Sequence, residues 1–137
     1  NELDSTFASL SVNPATGELA LIDTLPAVPA EARDHNHCAD IQISPDGRFL
    51  YGSNRGHDSI AVAAIDQETG KLSAVAFTPC GGPTPRNLGM SPSGKLLFSA
   101  NQNGDNVAIF RRDAETGRLT QAGSIPIGTP MCVRIVS

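Results

Sequence analysis

The chain contains no tryptophan, one tyrosine and five phenylalanines, so aromatic side chains make up only 4% of its 137 residues. A hydrophobic core must therefore be built mainly from valine, isoleucine, leucine and alanine. Long apolar runs are also absent, and none approaches the ~20 residues that a membrane-spanning helix needs. The first residues do not have the composition of a secretory signal peptide. We therefore expect a globular protein that has no membrane partner.

Positive charge and cysteine are scarce as well. Ten Lys and Arg residues stand against fourteen Asp and Glu residues, which gives a net charge of −4. Because the basic residues form no cluster, we expect no nucleic-acid partner. The three cysteines are odd in number, widely spaced and without a C-x-x-C pair. This usage predicts buried free thiols rather than a disulfide framework or a metal site, and it is typical of a cytoplasmic protein.

What the chain does contain is a repeated pattern of strands and turns. Asn1, Asn54 and Asn101 each begin a polar segment, which is followed by an apolar strand and by a turn that ends in Thr-Gly. An Asn or Asp opens such a turn by accepting a hydrogen bond from the backbone two residues on, and the glycine accepts a positive φ. Asn54 and Asn101 are 47 residues apart, a spacing typical of one blade of a β-propeller.

The repeat predicts an all-β fold, a β-propeller of four-stranded antiparallel blades. We expect residues 1–38 to form the outer strands of one blade plus a long loop, residues 39–79 and 80–126 to form two full blades, and residues 127–137 to form the innermost strand of a closing blade. This is about two and a half to three blades, whereas propellers have roughly 4–8. Open sheet edges at both ends would need missing blades or other chains as partners. A two-sheet sandwich is the alternative, but it would not need such regular repeats.

The same topology predicts where polar residues gather. In a four-stranded meander, the loop between the second and third strands lies on the same rim as the loop that enters the first strand. The candidate site residues on this rim are Glu2, His37, Arg55, His57, Arg86 and Asn87. The opposite rim carries Pro-Asp-Gly and Thr-Gly turns, which have structural roles. A polar channel mouth without any chemistry would show the same clustering.

Three segments on this rim have a more specific pattern. Residues 1–6 read Asn-Glu-Leu-Asp-Ser-Thr, residues 53–60 read Ser-Asn-Arg-Gly-His-Asp-Ser-Ile, and residues 84–87 read Thr-Pro-Arg-Asn. The chain resembles the lactonase family of seven-bladed propellers, which includes the propeller-type 6-phosphogluconolactonases and the fungal-type carboxy-cis,cis-muconate lactonizing enzymes. The resemblance covers essentially the whole chain and corresponds to the C-terminal portion of the family, so it implies a part of a propeller with seven blades.

The resemblance also implies a function for two residues. The acid that the family uses lies in its Asn-Glu-Leu segment, which is Glu2 here, and one arginine lies in its Ser-Asn-Arg-Gly segment, which is Arg55 here. In the hydrolysis of an anionic sugar lactone, Glu2 would activate a water molecule and Arg55 would stabilise the oxyanion or bind the anionic group. No metal or cofactor is implied. A carboxymuconate-type lactonizing cycloisomerase and a non-catalytic binding or scaffold propeller are the alternatives.

The remaining candidates are predicted to bind substrate. Arg86 would be a second anchor for an anion, Asn87 follows it in the same loop, and His57 has a near-neutral pKa suited to proton transfer. His37 lies on the same rim but matches no family motif. The family site also uses a histidine and another arginine for which this chain has no counterpart, so we expect residues 1–137 alone to be inactive.

Overall fold

The computed structural model describes residues 1–136, which form ten antiparallel strands in three sheets. The strands are β1 (Thr6–Val12), β2 (Leu19–Pro26), β3 (His37–Ile43), β4 (Phe49–Arg55), β5 (Ser59–Ile65), β6 (Leu72–Pro79), β7 (Pro85–Met90), β8 (Leu96–Asn101), β9 (Asn106–Arg112) and β10 (Leu119–Pro126). Their orders are β1-β2, β3-β4-β5-β6 and β10-β9-β8-β7. Short 3₁₀ turns span Ala30–His35 and Gln102–Gly104. No helix in this part of the chain is long and apolar enough to cross a membrane.

The two four-stranded sheets confirm the predicted all-β class and the predicted antiparallel meander. Local chemistry explains the turns between their outer strands. The Asp66 carboxylate accepts hydrogen bonds from the Thr69 backbone N–H and hydroxyl, both at 2.7 Å, and Gly70 follows with φ +73. The equivalent Asp113 and Gly117 repeat this arrangement in the next sheet, where φ is +72. The Asx turn and the positive φ together reverse the chain.

Hydrophobic side chains fill the spaces between neighbouring sheets. Along β5 they alternate between two clusters: Ile60 and Val62 pack toward the third sheet, whereas Ala61 and Ala63 pack toward the first. All four are at most 2% exposed. Burying a side chain such as Ile60 stabilises the fold by roughly 1.5–3 kcal/mol. Both faces of this strand are therefore apolar because the sheet is packed between two others.

The repeated asparagine has a structural role. Asn54 and Asn101 are fully buried at the ends of β4 and β8. The Nδ2 group of Asn54 donates to the Ala27 carbonyl oxygen at 2.7 Å, and that of Asn101 donates to the Cys80 carbonyl oxygen at 3.0 Å. Each hydrogen bond connects the end of the second strand of one blade to the residue that follows the outermost strand of the preceding blade. The residue that follows each asparagine is thereby fixed on the rim.

The predicted innermost strand of a closing blade is not formed in the described residues. Residues 127–136 contain no strand, although the Val133 N–H donates to Asn87 Oδ1 at 2.8 Å and Val133 lies against Gly89. A strand requires backbone hydrogen bonds to a neighbour. β7 lies at the edge of its sheet and pairs with β8, and no backbone hydrogen bond joins it to residues 127–136. Ser137, the last residue of the predicted strand, lies outside the described residues.

Candidate active site

One rim of the sheets carries a polar cavity of ≈ 270 Å³. Its lining residues are Asn1, Glu2, Cys38, Ala39, Arg55 and Arg86. Three of the predicted site residues therefore meet there, each from a different sheet: Glu2 precedes β1, Arg55 ends β4 and Arg86 lies at the start of β7. The meander topology brings these positions together because each lies on the same rim of its sheet.

Glu2 and Arg55 form an ion pair that joins two neighbouring sheets. The Nη2 group of Arg55 lies 2.5 Å from Glu2 Oε1 and also donates to the Cys38 carbonyl oxygen at 3.2 Å. The Arg55 side chain is 21% exposed, whereas that of Glu2 is 57% exposed. Because the carboxylate is open to water, the pair contributes only ~0–1 kcal/mol to stability. Its main effect is to hold an acid and a guanidinium next to each other at the cavity.

Arg55 has hydrogen-bonding capacity that the described residues do not use. A guanidinium has five N–H donors. The Nε group of Arg55 is buried and finds no hydrogen-bond partner within residues 1–136. A buried donor without a partner costs roughly 1–3 kcal/mol. Arg55 is thus held at the cavity with its buried Nε group unpaired among the described residues.

Arg86 is the second guanidinium at the cavity. Its side chain is exposed, and its Nη1 group donates to Gln102 Oε1 at 3.3 Å. The loop before it is fixed from two sides: the Thr84 N–H donates to the Asp58 carboxylate at 2.9 Å, and the Thr84 carbonyl accepts the Gln102 N–H at 2.9 Å. Sequence reasoning assigned no role to Gln102, and its only signal is that it follows the repeated asparagine.

Two predicted substrate-binding residues have other contacts in the structure. The Nδ1 atom of His57 lies 2.8 Å from Ser59 Oγ, and its ring packs edge-to-face on Phe77 of the outermost strand β6. His57 does not line the cavity. Both contacts lie within its own blade, and its predicted substrate role stays a prediction.

The side chain of Asn87 also has hydrogen-bond partners within the fold. Its Nδ2 group donates to Asp40 Oδ2 at 2.7 Å, and its Oδ1 atom accepts the Val133 N–H at 2.8 Å. The amide therefore joins β7 to β3 and to the segment 127–136, and the predicted substrate role of Asn87 stays a prediction. His37 is exposed at the start of β3 opposite Arg55, but it does not line the cavity, and its substrate role stays a prediction.

The thiols give the site no nucleophile. Cys38 lines the cavity, but burial raises its pKa, so the thiol is neutral near pH 7. Burial also raises the pKa of Cys80 to about 12. All three cysteines are free; Cys80 is buried as predicted, Cys38 is partly buried and Cys132 is exposed. No cluster of His, Cys, Asp and Glu that could hold a metal ion occurs within residues 1–136.

Comparison with known proteins identifies relatives of this chain. A family model described as "Lactonase, 7-bladed beta-propeller" matches residues 1–135. A 6-phosphogluconolactonase of Bacillus subtilis is 38% identical over 86 residues, which cover 63% of this chain and 25% of that protein. An uncharacterized protein of Lactococcus lactis is 41% identical over 86 residues, which again cover 63% of this chain and 25% of that protein. The matched residues thus span about a quarter of the length of these curated relatives.

Solved structures agree with this comparison. A protein from Lactobacillus plantarum superposes with a TM-score of 0.94 at 33% identity, covering 99% of this chain and 40% of that one. A putative 6-phosphogluconolactonase from Bacteroides fragilis superposes with a TM-score of 0.88 at 34% identity, covering 96% of this chain and 36% of that one. Fold, repeat and motifs therefore agree, and the chain belongs to the lactonase family of seven-bladed β-propellers.

Proposed function

We propose that the protein containing this chain hydrolyses an anionic sugar lactone, as the 6-phosphogluconolactonases do by name. The observation that carries this proposal is the convergence of Glu2, Arg55 and Arg86 on one polar cavity. A carboxylate next to a guanidinium is suited to water activation and oxyanion stabilisation, and a second guanidinium is suited to an anionic group.

In the proposed reaction, Glu2 acts as a general base and then as a general acid. Its carboxylate takes a proton from a water molecule while the water oxygen bonds to the lactone carbonyl carbon. The carbonyl oxygen becomes an oxyanion, to which Arg55 donates hydrogen bonds. The ring C–O bond then breaks, the leaving oxygen takes the proton from Glu2, and the product is the open-chain hydroxy acid.

The contacts of Arg55 support its assigned role. The Cys38 carbonyl and the Glu2 carboxylate both bind its Nη2 group, so the guanidinium is held in place before a substrate arrives. A fixed donor is effective because no reorganisation is needed as charge develops. In other enzymes, loss of one oxyanion donor costs about 10²–10³ in kcat, and loss of a general base typically costs about 10²–10⁴.

The test is hydrolysis of 6-phosphoglucono-δ-lactone by the full-length protein that contains this chain, followed as acid release. Glu2→Gln keeps the size of the side chain but removes the base, so kcat should fall about 10²–10⁴-fold. Glu68→Gln, in an exposed turn on the opposite rim, is the matched control and should change kcat less than twofold. A wild-type protein with no hydrolysis above background would overturn the proposal, as would a Glu2→Gln variant with full activity.

A further inference from the structure

The repeat contains a third rim position that corresponds to Glu2 and Arg55. Gln102 follows Asn101 as Arg55 follows Asn54 and as Glu2 follows the first asparagine of the repeat. The local backbone is also repeated: four residues after each asparagine, the chain adopts a positive φ, at Ser5 (+54), Asp58 (+51) and Asp105 (+48). Equivalent backbone geometry gives an equivalent place on the rim. Gln102 therefore belongs to the same row as the two residues of the candidate active site.

The contacts of Gln102 connect it to the cavity through Arg86. Its Oε1 atom accepts a hydrogen bond from Arg86 Nη1 at 3.3 Å. Its own backbone is fixed, because its N–H donates to the Thr84 carbonyl oxygen at 2.9 Å, two residues before Arg86. One residue thus holds both the loop that carries Arg86 and the guanidinium itself. No other hydrogen bond from the Arg86 side chain is formed within residues 1–136.

The two guanidinium groups at the cavity differ in charge compensation. Arg55 lies 2.5 Å from a carboxylate, which offsets its charge. Arg86 is bound by a neutral amide, so its full positive charge remains available at the cavity. The amide occupies only Nη1, which leaves the Nε and Nη2 donors for a phosphate or carboxylate.

We propose that Gln102 is a positioning residue that holds Arg86 over the cavity, with its charge uncompensated, to receive the anionic group of the substrate. This inference rests on the proposed function, and in a 6-phospho sugar lactone the group is the phosphate. A long exposed arginine loses rotamer freedom when it binds a ligand. A side chain that is already held in place loses less, so the hydrogen bond from Gln102 favours binding.

The experiment compares two substrates in the full-length protein: 6-phosphoglucono-δ-lactone and the uncharged glucono-δ-lactone. Gln102→Glu places a carboxylate beside Arg86 and competes with the phosphate, so KM for the phosphorylated lactone should rise about tenfold, which corresponds to about 1.4 kcal/mol. KM for the neutral lactone and kcat for both should change less than twofold. Gln102→Ala only frees Arg86 and should raise the same KM about threefold.

The matched control is Gln121→Glu, the same change of charge on the outer strand β10, where the side chain is exposed. It should leave both KM values within twofold of wild type. Gln102→Glu overturns the inference if it leaves KM for the phosphorylated lactone unchanged or if it raises KM for both lactones equally. A merely structural role for Gln102 would produce the second of these results.

A binding measurement separates this inference from the proposed function. The dissociation constant of 6-phosphogluconate is measured by calorimetry for the wild type, Gln102→Glu and Gln121→Glu. If the wild type hydrolyses neither lactone, the proposed function fails. The inference still holds if Gln102→Glu binds the acid at least fivefold more weakly than Gln121→Glu, and it fails if the two bind equally well.

Discussion

A network that crosses from one blade to the next gives the sharpest prediction about stability. Arg112 of β9 donates from Nη2 to Asp46 Oδ2 at 2.6 Å and from Nε to the Tyr51 hydroxyl oxygen at 3.0 Å. The Tyr51 hydroxyl in turn donates to the Gly117 carbonyl oxygen at 2.9 Å. The Arg112 side chain is only 4% exposed and Tyr51 is fully buried. This interblade network lies on the rim opposite the candidate active site.

The perturbation is Arg112→Met, which keeps much of the apolar stem but removes the charge and its hydrogen bonds. Removing one partner of a buried ion pair costs about 3–5 kcal/mol. Asp46 is 36% exposed, so water can partly replace its lost partner, whereas Tyr51 has no such access. We therefore expect the lower end of that range, a loss of about 3 kcal/mol in the free energy of unfolding.

The assay is urea-induced unfolding of the full-length protein, with the midpoint and slope compared between variants. Arg111→Met is the matched control, because Arg111 is the adjacent residue on β9 and is exposed. A surface change of this kind should shift the free energy of unfolding by about 0.5 kcal/mol or less. If Arg112→Met costs no more than Arg111→Met, the network does not join the blades energetically and the reasoning is refuted.

Two further predictions concern pH and the repeated asparagine. The hydrogen bond from the Ser44 hydroxyl, together with that from Arg112, lowers the pKa of Asp46 from 3.8 to about 2. Because the folded pKa is the lower one, this stabilisation is present above about pH 3.8 and is lost as pH falls to 2. The Asp46→Asn variant lacks this titrating group, so its unfolding midpoint should fall less steeply between about pH 4 and 2 than that of the wild type. An equally steep fall would contradict this assignment. Asn101→Ala leaves the buried Cys80 carbonyl without its 3.0 Å donor, so the free energy of unfolding in urea should fall by about 1–3 kcal/mol. Asn103→Ala, at an exposed position, is the control and should change this free energy little. Equal effects of the two changes would exclude a structural role for Asn101.

Much of the fold could be predicted because its main signals are local. The turn at Asp66, Thr69 and Gly70 depends on a side chain that bonds to backbone groups within three residues, so its chemistry is visible in a short segment. The strands between such turns then follow from apolar residues at a regular spacing. The apolar residues of the segment 127–136 favour a strand in the same way, but a strand also needs a paired neighbour, and this segment has none within residues 1–136.

The site was predictable only in part, because the hydrogen-bond partners of its side chains come from residues that are distant in the sequence. Glu2 and Arg55 are 53 residues apart, yet the stacking of two sheets places them 2.5 Å from each other. His57 lies two residues from Arg55 but contacts Ser59 and Phe77 instead of the cavity. Asn87 is adjacent to Arg86, and its amide is used by Asp40 and Val133, which no local pattern could have indicated.

The sequence by itself thus determined the repeat, the strand and turn chemistry and the rim on which polar residues gather, because each depends on residues that are close along the chain. The tertiary structure alone decided which rim residues share the cavity. That choice depends on how neighbouring sheets pack and on which buried acceptors each side chain reaches. Gln102 shows the difference: its place in the repeat is plain in the sequence, but its hydrogen bond to Arg86 exists only in the folded chain.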